Sequence, residues 1–240
     1  MKILAVDIGN TSATFGIYSH GKLGRVFRVP TRELGRAKLP RIAADEAAIA
    51  SVVPSAGKIL KKRLQRLGVK TRLIGADIRV PIKNRYKDPK QVGMDRLMNA
   101  VAFYHTYKKA GIIIDFGTAV TFDAVSAKGE YLGGVIAPGI DIALEALFQK
   151  TALLPRIRLA HPTGIIGRDT VDSIRAGAAY GIGGLCDGIV ARLKAKLGKN
   201  TVVVATGGYA PFMKRYCASF KNIRPSLVLD GIYLTATNSA

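Results

Sequence analysis

Two short stretches hold the residues best suited to chemistry. Residues 3–23, ILAVDIGNTSATFGIYSHGKL, end an apolar run on Asp7 and follow it with Gly9, Asn10 and Thr11. Residues 111–135, GIIIDFGTAVTFDAVSAKGEYLGGV, repeat the plan, with Asp115, Gly117 and Gly129 at the offsets of Asp7, Gly9 and Gly21. A Gly-rich turn after an apolar strand cradles phosphate well, because Gly permits positive φ and lets backbone N–H groups approach an anion closely. A carboxylate beside phosphates can hold a cation. One copy alone reads more simply as a hairpin with a capping aspartate. The matched pair points to a duplicated module, with Asp7 and Asp115 expected to face one nucleotide from opposite sides.

The elements that must position these residues follow from hydrophobic period and turn signals. Strands are expected at 2–7, 13–18 and 25–29, then a short helical or irregular link to about residue 45. A strand at 47–54 closes on Pro54, a helix occupies 55–67, and a strand 69–75. Residues 81–93 read as a polar loop with two prolines, and 95–107 as a helix. After the second three-strand meander come a helix at 139–154 and one long or broken helix at 170–197. A strand, double Gly and helix at 200–216 follow, then a final strand and helix. Each half thus runs through three strands and then alternating helices and strands.

Composition narrows the function classes. The chain has 240 residues, 48% of them apolar, enough for a core in one domain or two modest ones. Cys186 and Cys217 form neither a ligand cluster nor a disulfide framework, and a reducing cytoplasm is the expected compartment. The start MKILAVD meets an aspartate too early for a secretion signal, and no apolar run is long enough for a membrane span. His20, His105 and His161 are scattered, without zinc spacing.

The net charge of +21 is the unusual feature. Basic residues crowd 21–41, 58–72 and 82–90, a pattern that raises nucleic-acid binding. The second stretch is also an amphipathic helix with Ile59, Leu60, Leu64 and Leu67 on its apolar side, which makes its lysines and arginines a solvated face. No helix-turn-helix, zinc finger or aromatic RNA platform accompanies the charge. Specific nucleic-acid binding is not expected.

Eight segments in order carry a resemblance: DIGNT (7–11), SVVP (51–54), VGMDRLMNA (92–100), IDFGTAVTFD (114–123), GGVIAPGI (133–140), ALLP (152–155), IGRDTVDSI (166–174) and TGG (206–208). Together they resemble the type III pantothenate kinases, members of the acetate and sugar kinase, heat-shock chaperone and actin superfamily. DIGNT alone fits many kinases of that superfamily; VGMDRLMNA with IDFGTAVTFD is much narrower.

The resemblance implies an α/β fold of two duplicated ribonuclease-H-like, actin-like halves with mixed sheets and an interdomain nucleotide cleft. Residues 1–92 would form the half with the first phosphate loop. Residues 93–240 would carry the substrate loop, the second phosphate loop and the dimer helices. It further implies ATP-dependent phosphorylation of pantothenate in coenzyme A synthesis, by a homodimer using Mg2+ and a monovalent cation, K+ or NH4+. Asp7, Ile8, Gly9, Asn10, Thr11, Ser12, Ala13 and Thr14 would form the first phosphate loop, and Thr118 would also contact ATP. Tyr86, Gly93, Met94, Asp95, Arg96 and Thr170 would bind pantothenate, with Asp95 the proton acceptor. Asp115 would hold the monovalent cation.

The chemistry suits those roles. Phosphoryl transfer needs alignment and charge neutralisation, and a primary hydroxyl can lose its proton to a nearby carboxylate. Asp95 at a helix start reads equally as an N-cap. Arg96 offers a planar fork for a substrate carboxylate, or else is a solvated helix arginine. Tyr86 in a basic loop reads as a surface tyrosine, Thr118 as turn chemistry, and either Thr170 or Asp169 as a helix cap. Gly207 and Gly208 either admit a flat adenosine or make a tight strand-to-helix turn. The Gly-rich run 180–188 has no Walker spacing and reads as close helix packing.

Two features depart from the family. Residues 30–46 alone separate the third strand from the next, so much of a peripheral helix is expected to be missing from the first half. The strong positive charge leaves open a non-catalytic or regulatory homologue with a nucleic-acid-associated surface.

Overall fold

The structure is a computed structural model, and it describes residues 1–37, 39 and 43–238. Part of the link between the third and fourth strands lies outside the described residues. The chain divides into two compact units. The first comprises residues 1–108, 129–131 and the segment from Ser226; the second comprises 109–128 and 132–225.

In the first unit β1 (Lys2–Ile8), β2 (Ser12–Ser19) and β3 (Lys22–Pro30) form an antiparallel meander. His20 and Gly21 both take positive φ in the β2–β3 turn, which suits the twist of a tight hairpin. A 3-10 turn at Thr31–Glu33 leads on to β4 (Glu46–Ser51), parallel to β1. Helix α1 (Pro54–Arg66) then crosses to β5 (Lys70–Leu73), parallel to β4. The sheet order is β3-β2-β1-β4-β5. Leu4, Val6, Ile8, Ala13, Phe15, Val29 and Ile49 fill a core on one face with Ala56, Leu60 and Leu64 of α1.

Helix α1 corrects the expected stripe. Its buried face is Ala56, Gly57, Leu60 and Leu64, while Ile59 and Leu67 are exposed. Its basic residues are not all solvated either. Lys61 Nζ pairs with Asp77 at 2.5 Å, and Arg63 donates to the carbonyls of Leu34 (2.8 Å) and Ala37.

The polar loop at 81–93 contains a short strand, β6 (Lys83–Asn84), and a 3-10 turn at Pro89–Gln91. Helix α2 (Met94–Tyr107) follows. In the second unit β7 (Gly111–Phe116), β8 (Ala119–Val125) and β9 (Glu130–Pro138) repeat the meander. The first residues of β9, Glu130 and Tyr131, cluster with the first unit, where they pair with Lys83 and Asn84.

Helix α3 (Ile140–Lys150) is shorter than the expected 139–154, because Thr151 is already extended and its hydroxyl caps the Leu147 carbonyl at 2.7 Å. The helix expected at 170–197 is broken: α4 (Thr170–Ala176) passes through a π-helical turn at Gly177–Gly181 into α5 (Ile182–Leu197). Strand β10 (Val202–Thr206) runs parallel to β7. Helix α6 (Ala210–Met213) and strand β11 (Asn222–Ile223), parallel to β10, complete the unit. The six-stranded sheet runs β6-β9-β8-β7-β10-β11; apart from the added edge strand β6, this is the order of the first sheet.

The chain then re-enters the first unit with α7 (Leu227–Thr237). Gly231 brings α7 against the α2 backbone, where any Cβ would overlap the Met98 carbonyl. This pairing draws α2 into the first unit, so the compact units do not divide at residues 92 and 93.

Candidate active site

In the first unit, Asp7 is the penultimate residue of β1. Its register partners are Thr14 on β2 and Ala50 on β4. Residues 9–12 form the turn, closed by Gly9 N–H donating to the Ser12 carbonyl at 3.0 Å. Thr31, just after β3, braces it from outside: its N–H donates to the Thr11 carbonyl at 3.0 Å and its Oγ1 to the Gly9 carbonyl at 2.7 Å. A shallow pocket of about 550 Å³ opens beside this turn, lined by Asn10, Thr11, Ser12, Arg28 and Arg32 with Val29 and Pro30. Residues 7–14 therefore lie together as one β-turn-β segment. Thr31 carried no sequence signal, since its partners lie some twenty residues away in the chain.

The first turn of α2 holds the second constellation. Gly93, not Asp95, occupies the N-cap position, and Asp95 sits on the first turn. Its Oδ1 accepts from the Arg96 N–H at 2.8 Å. The carboxylate folds back over Gly93, where any Cβ would collide with Oδ1. Burial pushes the Asp95 carboxyl above the usual range, against the Arg96 N–H and guanidinium, which pull it down. Arg96 is 7% exposed, so it is no solvated helix arginine. Its guanidinium lies 5.8 Å from the ring centroid of Tyr131, which is fully buried.

Tyr86 reaches the same ring from the loop, with centroids 6.5 Å apart. Asn84 Oδ1 accepts from the Tyr86 N–H at 2.9 Å, the Arg85 N–H donates to the Tyr131 carbonyl at 2.8 Å, and Arg85 pairs with Glu130 at 2.7 Å. The loop is thus tied to β9, and Tyr86 and Arg96 meet around Tyr131. Met94 packs near Gly75, whose positive φ also favours glycine. The platform of Glu130 and Tyr131 was not legible in sequence, because it depends on a two-residue strand pairing.

In the second unit, Asp115 stands opposite Thr121 on β8 and Thr206 on β10. Its carboxylate lies against Gly207, which has positive φ and no space for a side chain. Gly207 makes the tight strand-to-helix turn, and the space beside Gly208 is open. Thr118 lies in the second turn, closed by Gly117 N–H donating to the Ala119 carbonyl at 3.1 Å. Gly139 packs on that turn so closely that a Cβ would overlap the Thr118 carbonyl. Thr170 is exposed at the start of α4, and Asp169 is the cap, its side chain accepting from the Asp172 N–H at 2.8 Å.

Two sheets that share a five-strand order, one of them extended by β6, each with Asp-x-Gly at the end of its first strand, define a duplicated actin-like α/β fold. A ROK family glucokinase from Streptomyces griseus shares the fold, at 11% identity over 97% of this chain and 98% of that one, with a TM-score of 0.53. A Campylobacter jejuni protein described as a Baf family transcriptional activator matches at 20% identity over 98% of both chains, TM-score 0.65.

The chain belongs to the type III pantothenate kinase family: that family's model matches residues 3–192. Type III pantothenate kinases from Syntrophus aciditrophicus and Moorella thermoacetica are 40% and 38% identical, the first over 97% and the second over 96% of both chains.

Proposed function

We infer that this chain transfers the terminal phosphoryl group of ATP to the primary hydroxyl of pantothenate, the reaction that opens coenzyme A synthesis, and that Asp95 takes the hydroxyl proton. The observation that carries the role of Asp95 is its half-buried carboxyl beside Arg96, with a raised proton affinity. A carboxylate of raised basicity is the better acceptor for a proton released as the phosphoryl group departs.

Arg96 and Tyr86, gathered on the Tyr131 ring, bind pantothenate together with Gly93, Met94 and Thr170. Arg96 answers the substrate carboxylate with its fork. Residues 7–14 wrap the ATP phosphates, and Thr118 contacts ATP from the second turn. Mg2+ suits this site because Asp7 stands at the end of β1, next to the phosphate-type turn. A hard cation carried on phosphate oxygens needs only one or two protein carboxylates, and Asp7 supplies one. When bound it neutralises phosphate charge. Asp115 holds the monovalent cation, K+ or NH4+.

We place the enzyme in the cytoplasm, where a reducing environment suits the free cysteines Cys186 and Cys217. Among the described residues no helix is long and apolar enough to cross a membrane. A homodimer is supported by exposed apolar side chains on the second unit, including Ile136 of β9 and Ile142 and Phe148 of α3. Sedimentation would read it directly.

The test is ADP release with and without pantothenate, with the product identified by mass. ADP formation that requires pantothenate, with a product heavier by one phosphoryl group, is expected. ADP formation indifferent to pantothenate would overturn the reading.

A further inference from the structure

Arg28 stands on β3 in the row of Asp7. Across the sheet, Asp7 pairs with Thr14 and Thr14 with Arg28. Cross-strand partners point to the same face of a sheet. Here that is the face away from the core built by Val6, Phe15 and Val29. Two strand spacings, about 10 Å, separate the Asp7 and Arg28 backbones, a distance suited to groups that flank a polyphosphate. Arg28 also lines the pocket beside Asn10, Thr11 and Ser12. Thr31 fastens the turn to the end of the strand that carries Arg28, through both its N–H and its hydroxyl.

The sheet itself does not call for this arginine. The second half has Ile136 at the same distance before the proline that ends its third strand, and Ile136 is 62% exposed. Among the described residues Arg28 has no acidic partner, whereas Arg85 and Arg156 each pair with a glutamate at 2.7 Å. An unpaired guanidinium at a phosphate-type turn has a ready use, because its planar fork binds phosphate oxygens in pairs.

We propose that Arg28 is a phosphate-binding residue of the nucleotide site, contacting the polyphosphate of the bound nucleoside triphosphate. The proposal rests on the nucleotide site read above and deepens it. Both arginines of the pocket are exposed, but Arg32 lies 3.7 Å from Glu33, so Arg28, which has no acidic partner among the described residues, is the residue to which the role is assigned.

The experiment compares the wild-type chain with Arg28→Gln, Arg28→Lys and, as a charge control at the far end of β3, Lys22→Gln. Binding of ATP and of adenosine is measured by calorimetry, alongside KM for ATP and for pantothenate. Arg28→Gln is expected to weaken ATP binding about tenfold or more, the scale of one lost charge-assisted contact. Adenosine binding and the KM for pantothenate should not move. Arg28→Lys should recover part of the loss, and Lys22→Gln should match wild type.

ATP affinity within about twofold of wild type in Arg28→Gln would overturn the proposal. So would an equal loss of adenosine binding, which would mark a general disturbance of the site. If the wild-type chain binds ATP yet does not phosphorylate pantothenate, the enzyme reading fails on its own, while the ATP-versus-adenosine comparison still decides Arg28.

Discussion

The two halves share a strand order and an Asp-x-Gly turn, yet they brace that turn by opposite means. In the first half residues 9–12 make the turn, and Thr31 holds it with a hydroxyl and an N–H. In the second the turn is one residue shorter, at 117–119, and the residue after the third strand is Gly139, which presses bare backbone against Thr118. Pro30 precedes Thr31 and Pro138 precedes Gly139, so the braces occupy matching places. The connections beyond them diverge further. Among the described residues, 31–45 carry a 3-10 turn before β4, whereas 139–201 carry α3, α4 and α5 before β10. The comparison teaches that the fold keeps the position of each turn and leaves the chemistry of its support free to change.

The largest effect should come from a residue without a counterpart in the other half. Asp95→Asn is expected to lower pantothenate turnover by roughly two to four orders of magnitude. ATP affinity should hold, because Gly93 and not Asp95 caps the helix. A near wild-type rate would remove Asp95 as the base.

The pH behaviour follows from the raised carboxyl. The native state holds this proton more tightly than the unfolded chain, so the group's contribution to stability falls as pH rises from the unfolded to the folded pKa. Above both values the fold bears the full cost of the buried charge. Asp95→Asn should therefore unfold at a higher temperature than wild type at neutral pH, with the gain vanishing in acid. With Asp95 as the proton acceptor proposed above, turnover should fall on the acid side at a higher pH than an ordinary carboxyl would give.

Next is the cation. If only the second aspartate serves a monovalent ion, wild-type activity should fade when sodium replaces potassium or ammonium, and Asp115→Ala should abolish both that dependence and most activity. Equal rates in all three salts would erase this distinction between the halves.

The braces themselves should differ in sensitivity. Gly139→Ala forces a Cβ into the Thr118 carbonyl and should cost about 1–3 kcal/mol in denaturant unfolding. Thr31→Val removes one side-chain hydrogen bond and should cost about 1 kcal/mol. A reversed order would show that the hydroxyl brace is the stiffer.

The smallest effect concerns charge. Reversing exposed Lys58, Lys62 and Arg66 of α1 should reduce salt-sensitive retention on DNA and leave kinase kinetics unchanged; Lys61 is spared because it pairs with Asp77. Tight binding to one duplex among several at about 150 mM salt, where exposed charges are screened beyond about 8 Å, would favour a regulatory role instead.

Much of this was legible in the sequence because it is local. Apolar runs, turn glycines and the repeated Asp-x-Gly mark the strands of both meanders, and the motif order marks the family. What stayed hidden depends on partners distant in the chain. Thr31 looks like any loop threonine until β3 lies beside β2. Tyr86 reads as a surface tyrosine until β6 pairs with β9 and brings it to Tyr131. Ile59 and Leu67 fit the helical period of α1 but fall at the edge of its buried stripe. Arg63 reads as solvated because the carbonyls it binds belong to the segment after β3.

The return of α7 to the first unit bears on how the chain is made. Leu227, Leu229, Ile232 and Ala236 are buried there, and Tyr18 Oη donates to Asp230 at 2.6 Å. A ribosome releases β1 to α2 early, yet the helix that completes their packing emerges only after the whole second unit. Domains commonly fold in order of synthesis; here the later unit has all its parts first. Until α7 emerges, the face of the earlier sheet that it covers is packed only in part, by α2, and the apolar surface left open in that interval is prone to association.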